Sequence, residues 1–403
     1  MSKWLQIRPI LAALRSHCTA VTLLVLEIAL TMAILGNLVF IVYGGVRRAQ
    51  VPTGVLEAQL GVIQSIGVIG FDNTGTVGGD LAALRAVPGV QEAAYGGPPL
   101  WGADQSPVFT DASRRETAAR VYEFLGSQGL SRTLGLRIVQ GRDFTEDDPP
   151  DVSRWGKVTQ MPVLITRALA ERLYRDADPV GRLFYDGTMG LRVIGVVDHL
   201  RGEITGRAED DYAVVYEYRV GAQDMGGAFM IRAEPGRLPQ TLRAAAEALQ
   251  KANPGHVEQK VFTMAEQRAD YFRGDLSVGR MLIAIMLILL VVTALGVSGL
   301  ASFWVQQRRR QIGVRRALGA TRGDILRYFQ TENFLIVSGG VLLGAVFAYA
   351  LNLFLMQRFE LARLPPGYLL VGAAVLWALG QLAVLGPALR AAKVPPVVAT
   401  RSV

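Results

Sequence analysis

The sequence predicts an α-helical membrane protein with four transmembrane helices and a large mixed α/β (α+β) extracytoplasmic domain inserted between the first and second. Three observations carry that prediction. Hydrophobic residues make up 51% of the 403, more than a purely soluble fold uses. Four apolar runs are each long enough to cross about 30 Å of hydrocarbon as a helix. Between the first run and the second lie more than two hundred residues of ordinary soluble composition.

In chain order, Trp4, Ile7, Leu11 and Leu14 fall on one helical face, with Lys3, Arg8 and Arg15 elsewhere. That pattern suits a short helix lying on the membrane surface. The first span follows, Ala20 to Tyr43, "AVTLLVLEIALTMAILGNLVFIVY". It is too long for the core of a cleavable signal and reads as an anchor. The second runs roughly Met281 to Val305, the third about Phe334 to Met356, the fourth about Tyr368 to Leu385. The expected organisation is residues 1–44, surface helix and first span; 45–278, extracytoplasmic domain; and 279–403, three spans with a basic segment at 306–331.

The soluble segment alternates strand and helix signals. "DLAALRAVPGVQEAAYG" reads as helix, Pro-Gly turn and strand, and "MPVLITRALAERLY" as a strand entering an amphipathic helix capped by Thr166. Asp186-Gly187 marks a hairpin turn. Leu238, Leu242, Ala245 and Leu249 give a later helix its apolar stripe. Cys18 is the one cysteine, expected as apolar filler. The outer domain therefore needs a true hydrophobic core, since it has no disulfide to hold it.

Catalytic motifs are absent from the chain. There is no G-x-x-x-x-G-K-[ST] for phosphate binding and no G-x-S-x-G. Asp143, Glu146, Asp147 and Asp148 lack EF-hand spacing and read as a solvated turn. His199 and His256 lack a paired ligand. No metal site and no cofactor are expected.

The +8 net charge concentrates at span ends. Between the second and third spans, "RRRQIGVRRALGATRGDILR" (308–327) holds seven arginines and one acidic residue. With Arg390, Lys393 and Arg401 it fixes both termini and this loop on the cytoplasmic side and the large domain outside. Nucleic-acid binding is disfavoured because the segment is tied to a membrane and lacks interleaved aromatics. Topology anchoring needs only the charges, yet this segment also has shape. Val314, Ala317 and Leu318 share one helical face. Gly319 ends the helix, and Thr321 with Asp324 starts the next. A shaped surface suggests docking of a partner.

Within the spans, Gly340, Gly344 and Ala348 form one small-residue face and Ala294, Ser298 and Ser302 another, suited either to a packed bundle or to a dimer seam. Glu27 is an intramembrane carboxylate, by default a functional candidate, with a structural partner or snorkelling as the plainer alternative. Asn37, Asn352 and Gln381 are expected to hydrogen-bond between helices. No continuous polar pore is visible.

"RRRQIGVRRALGATRGDILRYFQTENFLIVSGGVLLG" resembles the signature of the FtsX-like permeases of the MacB-type ABC transporter superfamily, which includes the LolC/LolE permeases. "GRDFTEDD", "PVLITRALAERLY", "DPVGRLF" and "VIGVVDHLRG" resemble the MacB-type periplasmic core domain, and "PALRAAKVPPVVATR" is similar to the family's ending. The resemblance covers nearly the whole chain. It implies a bacterial inner-membrane permease, paired with a second copy or a paralogue and bound to cytoplasmic ABC ATPase subunits that carry the ATP and Mg. A periplasmic membrane-fusion protein is a further partner it leaves open. It also implies mechanotransmission, in which the ATPases move the outer domains to export or extract a substrate. The implied ATPase-coupling segment comprises Ile312, Gly313, Arg315, Arg316, Ala317, Leu318 and Gly319. Because the chain begins at the surface helix, the ATPase is expected as a separate polypeptide. A regulatory role, controlling a cell-wall hydrolase or sensing antimicrobial peptides without export, stays open beside it.

Overall fold

A computed structural model describes residues 18–67, 76–100, 105–113, 115–150, 159–175, 177–219, 228–253, 256–359 and 363–393. The surface helix expected around Trp4 to Leu14 lies outside these residues. The chain divides into two compact units, one of residues 1–46 and 275–403, the other of 47–274.

The first unit is helical. Among the described residues, four helices are long and apolar enough to cross a membrane: α1 (Cys18–Ala49), α7 (Arg273–Gln307), α9 (Arg322–Phe359) and α10 (Pro366–Ala392). Each exceeds its apolar run because polar ends extend the same hydrogen-bonded ladder. Glu332 lies in the part of α9 that precedes the apolar run, in the helix expected to start at Thr321 and Asp324. Cys18 is exposed rather than serving as filler.

The small-residue face of α9 packs within the chain. A Cβ on Gly340 would lie 2.6 Å from Ile28, and one on Gly344 would lie 2.6 Å from both the Ala29 carbonyl oxygen and Met32 Cβ. Glycine is what lets the α1 and α9 backbones approach so closely. Asn37 Nδ2 donates to the Ala348 carbonyl at 3.1 Å, adding a polar tie on the same seam. Gln381 Nε2 donates to Gln330 O at 3.3 Å, and Asn352 Oδ1 accepts from the Leu364 backbone. On α7 the buried line is Thr293, Val297, Ala301 and Trp304, while Ala294, Ser298 and Ser302 are half-buried. Elsewhere on α7, Leu287, Ile288, Val291 and Leu295 form an exposed apolar face suited to hydrocarbon.

The second unit is built, among the described residues, on an eleven-stranded sheet. Its strands are β1 (Leu60–Gly67), β2 (Val90–Gly96), β3 (Gln105–Phe109), β4 (Ala119–Ser127), β5 (Ile138–Gly141), β6 (Gln160–Thr166), β7 (Leu183–Asp186), β8 (Met189–Val197), β9 (Ala213–Tyr218), β10 (Ala228–Ala233) and β11 (His256–Thr263). The helices are α2 (Thr76–Arg85), α3 (Leu130–Leu134), α4 (Arg167–Tyr174), α5 (Leu238–Ala252) and α6 (Met264–Tyr271). Strand order is β11-β1-β10-β2-β4-β3-β7-β8-β6-β9, and β9 also pairs in parallel with β4. The last six strands thus close a ring. The first four form an antiparallel sheet, and among the described residues its strand pairing with that ring is Gly96 with Gly126.

Strand alternation sorts the core. On β1 and β10, Leu60, Val62, Ala228 and Met230 enter one cluster, while Ile63, Phe229 and Ile231 enter another beneath α2 and α5. All four stripe residues of α5 are buried there. A third cluster fills the ring with Val121, Met161, Val163, Ile165, Phe184, Leu191, Val193 and Val214. Two details differ from the sequence reading or refine it. Thr166 occupies the N-cap position of α4 but makes no side-chain cap. Its hydroxyl instead donates to the Asp211 carbonyl and accepts from the Ala213 amide at 3.2 Å. The Asp186-Gly187 hairpin forms as expected, with Asp186 opposite Met189.

Candidate coupling site at the arginine turn

Between α7 and α9 the chain makes a short helix, α8 (Arg309–Ala317), and a turn. Gly319 takes φ +95°, a left-handed conformation that costs glycine little and other residues more. The next helix starts with a reciprocal cap. Thr321 N donates to Asp324 Oδ2 at 2.9 Å, and Asp324 N donates to Thr321 Oγ1 at 3.1 Å.

Several contacts clamp this turn to the helix ends. Ile312 packs with Val305, Ile325, Phe329, Ala388, Ala391 and Ala392. Arg316 Nη1 donates to the Ala392 carbonyl at 3.0 Å. The Arg315 guanidinium lies 4.8 Å from the centre of the Tyr328 ring, a cation–π contact. Arg308, at the N-cap of α8, sends Nη1 to both oxygens of Glu332 at 2.9 and 3.0 Å, and both side chains are at most 10% exposed. Its guanidinium also sits 5.7 Å from the Trp304 ring.

The segment expected from the sequence therefore splits in two. Ile312 and Gly313 are buried, and Arg315 and Arg316 are tied to neighbouring helices. Ala317, Leu318 and Gly319, with Val314, face outward. Leu318 is 83% exposed and continues the exposed apolar face begun by Val314. The sequence reading missed the Arg308–Glu332 pair. Its signal was available, since Glu332 and Asn333 are polar residues at the start of an apolar run, but nothing local links them to Arg308.

Glu27 lies elsewhere. Its carboxylate oxygens are 2.7 and 2.9 Å from where a Cβ on Gly296 would stand, so this glycine makes room for it against α7. One turn on, the Thr31 and Thr293 hydroxyls hydrogen-bond at 2.9 Å. Gly296 and Trp304 are eight residues apart, about 12 Å along the helix, so Glu27 does not join the turn. No cluster of His, Cys, Asp or Glu among the described residues could hold a metal ion.

Four membrane-length helices, a large α/β unit and a structured basic turn define an integral membrane protein of the transporter-permease class. Residues 19–249 match the MacB-like periplasmic core domain, and residues 283–396 match the FtsX-like permease C-terminal domain. The chain belongs to the FtsX-like, MacB-type family of ABC transporter permeases. It is similar to the macrolide export ATP-binding/permease protein MacB of Chromobacterium violaceum, 26% identical over 272 residues, covering 66% of this chain and 41% of that one. The MacB protein of Nitrosomonas europaea is 28% identical over 295 residues, covering 70% and 43%. The pyoverdine export ATP-binding/permease protein PvdT of Pseudomonas savastanoi pv. phaseolicola is 26% identical over 275 residues, covering 66% and 40%. The chain thus spans about two-fifths of the length of these curated relatives. The periplasmic region of MacB from Actinobacillus actinomycetemcomitans aligns with 53% of this chain and 92% of that one, at 14% identity and a TM-score of 0.36.

Proposed function

We propose that this chain is the membrane subunit of an ABC export or extraction machine, in which ATP-driven motion of cytoplasmic ATPase units is received at the arginine turn and relayed to the extracytoplasmic domain. ATP and Mg belong to the ATPase. A second permease, the same chain or a paralogue, completes the assembly, and the turn and both termini face the cytoplasm.

The observation that carries this reading is the two-sided turn. One side presents Val314, Ala317 and Leu318 to solvent. The other is joined to three helices through Ile312, Arg315, Arg316 and the buried Arg308–Glu332 pair. A charge cluster that only set topology would need neither the exposed leucine nor the clamp. A lever needs both, a surface to be pushed and a rigid joint behind it.

The test is ATPase stimulation by the permease reconstituted with its ATPase. Leu318→Asp should reduce coupling at least tenfold without changing the melting temperature, because Leu318 is exposed. Arg315→Glu and Gly319→Pro should also uncouple, the first by losing the Tyr328 contact and the second by forbidding the left-handed turn. Full stimulation by all three variants would remove the coupling role.

A further inference from the structure

The 47–274 unit contains a cleft of about 880 Å³, within the size range of ligand sites. Its lining draws on both parts of the sheet, with Glu92 from β2 and Glu217 from β9. Its lining is polar, Phe144 being the apolar exception.

The charges in this cleft are not all balanced. Arg132 pairs with Glu92 at 3.7 Å. The carboxylate of buried Glu217 accepts the Gly129 and Ser131 amides at 3.0 and 2.9 Å. Four groups remain. Arg85 Nη2 donates to the carbonyls of Ala93 and Gln128 at 2.8 and 3.3 Å, and Arg219 Nη2 donates to the Glu146 carbonyl at 2.8 Å. These carbonyls hold the two guanidinium groups in place without neutralising them. Among the described residues, neither arginine has a carboxylate partner, and the Glu146 and Asp147 side chains make no hydrogen bond or ion pair. The loop carrying those two acids is itself fixed, with Asp148 accepting from Thr145 N at 2.8 Å and from Arg142 Nη2 at 2.9 Å.

Two pinned cations and two unpaired carboxylates on one cleft are complementary to a ligand bearing both charges. We infer that this cleft binds a small zwitterion, its carboxylate against Arg85 and Arg219 and its ammonium or guanidinium group against Glu146 and Asp147. Guanidinium groups already held by such contacts suit carboxylate recognition, since little side-chain freedom is lost on binding. An apolar ligand would strip water from these charges without replacing it, so such ligands are excluded from this cleft. The inference deepens the export reading by naming a class of cargo, and it rests on that reading only for the word cargo.

The full-length chain in lipid nanodiscs, without any ATPase, is titrated calorimetrically at low salt with three probes. These are tetraalanine with both ends free, its C-terminal amide, and its N-acetylated acid, which carry both charges, the positive one and the negative one. The zwitterion should bind at least tenfold more tightly than either singly charged form. Arg219→Gln and Asp147→Asn should each weaken it about tenfold while leaving the melting temperature unchanged, both side chains being exposed. Equal binding of all three probes, no measurable binding of the zwitterion, or indifference to both variants would overturn the inference. Normal zwitterion binding together with a permease that never stimulates an ATPase would instead defeat the export reading.

Discussion

Replacing Glu332 by alanine strands Arg308. In the folded chain the two side chains are 2% and 10% exposed, and Arg308 Nη1 bridges both carboxylate oxygens. Removing the carboxylate leaves a buried guanidinium without its carboxylate partner, beside Trp304, Ile312, Arg315, Tyr328 and Phe329. Breaking a buried ion pair from one side costs about 3–5 kcal/mol. At about 2–4 °C per kcal/mol for a unit of this size, the melting temperature should fall by roughly 6–20 °C. The double variant Arg308→Met/Glu332→Leu removes both charges and keeps apolar volume, so its stability should return to within about 1–2 kcal/mol of the parent. The assay is thermal unfolding of nanodisc-embedded protein, followed by tryptophan fluorescence. ATPase stimulation is measured on the same samples. A shift below 2 °C for Glu332→Ala, or a double variant as unstable as the single, would refute the reasoning. If the pair serves as the rigid joint of the lever, the double variant should be stable yet poorly coupled.

Three further predictions concern packing and pH. Gly344→Ala should destabilise the α1–α9 seam by about 1–3 kcal/mol, since its Cβ would stand 2.6 Å from the Ala29 carbonyl oxygen. Gly299→Ala, which meets nothing within 4 Å, is the control, and equal melting temperatures for the two would sink the close-approach argument. Leu242→Ala should cost about 2–5 kcal/mol in the 47–274 unit, read by urea unfolding monitored through circular dichroism. For Glu217, burial pushes its carboxyl above the ordinary 4.5, partly opposed by the Ser131 and Gly129 amides. The folded state therefore holds this proton more firmly than the unfolded state. Its contribution is greatest below about pH 4.5 and is lost as pH rises through the folded value. Glu217→Gln should flatten that slope in melting temperature against pH, and a steeper slope would reverse the assignment.

The four membrane-length helices could be read from the sequence because hydrocarbon thickness imposes a length and an apolarity that no packing detail can override. The strand-helix-strand order of the outer unit was legible for a similar reason. Alternation on β10 and the stripe Leu238, Leu242, Ala245 and Leu249 are local periodicities, and burial follows them. The turn at Gly319 and the Thr321–Asp324 cap were legible too, being contacts between residues three or fewer apart. What the tertiary structure alone decided lies at long sequence separation. That Gly340 and Gly344 meet Ile28, Ala29 and Met32, and not a second chain, depends on which helix comes alongside. Thr166 makes no cap, and β9, nearly fifty residues later, brings the Ala213 amide to its hydroxyl. The arginine stretch showed its charges but not their division. Its anchored side is created by Glu332, Tyr328 and Ala392, which the fold carries to it, and its exposed side is what those contacts leave uncovered.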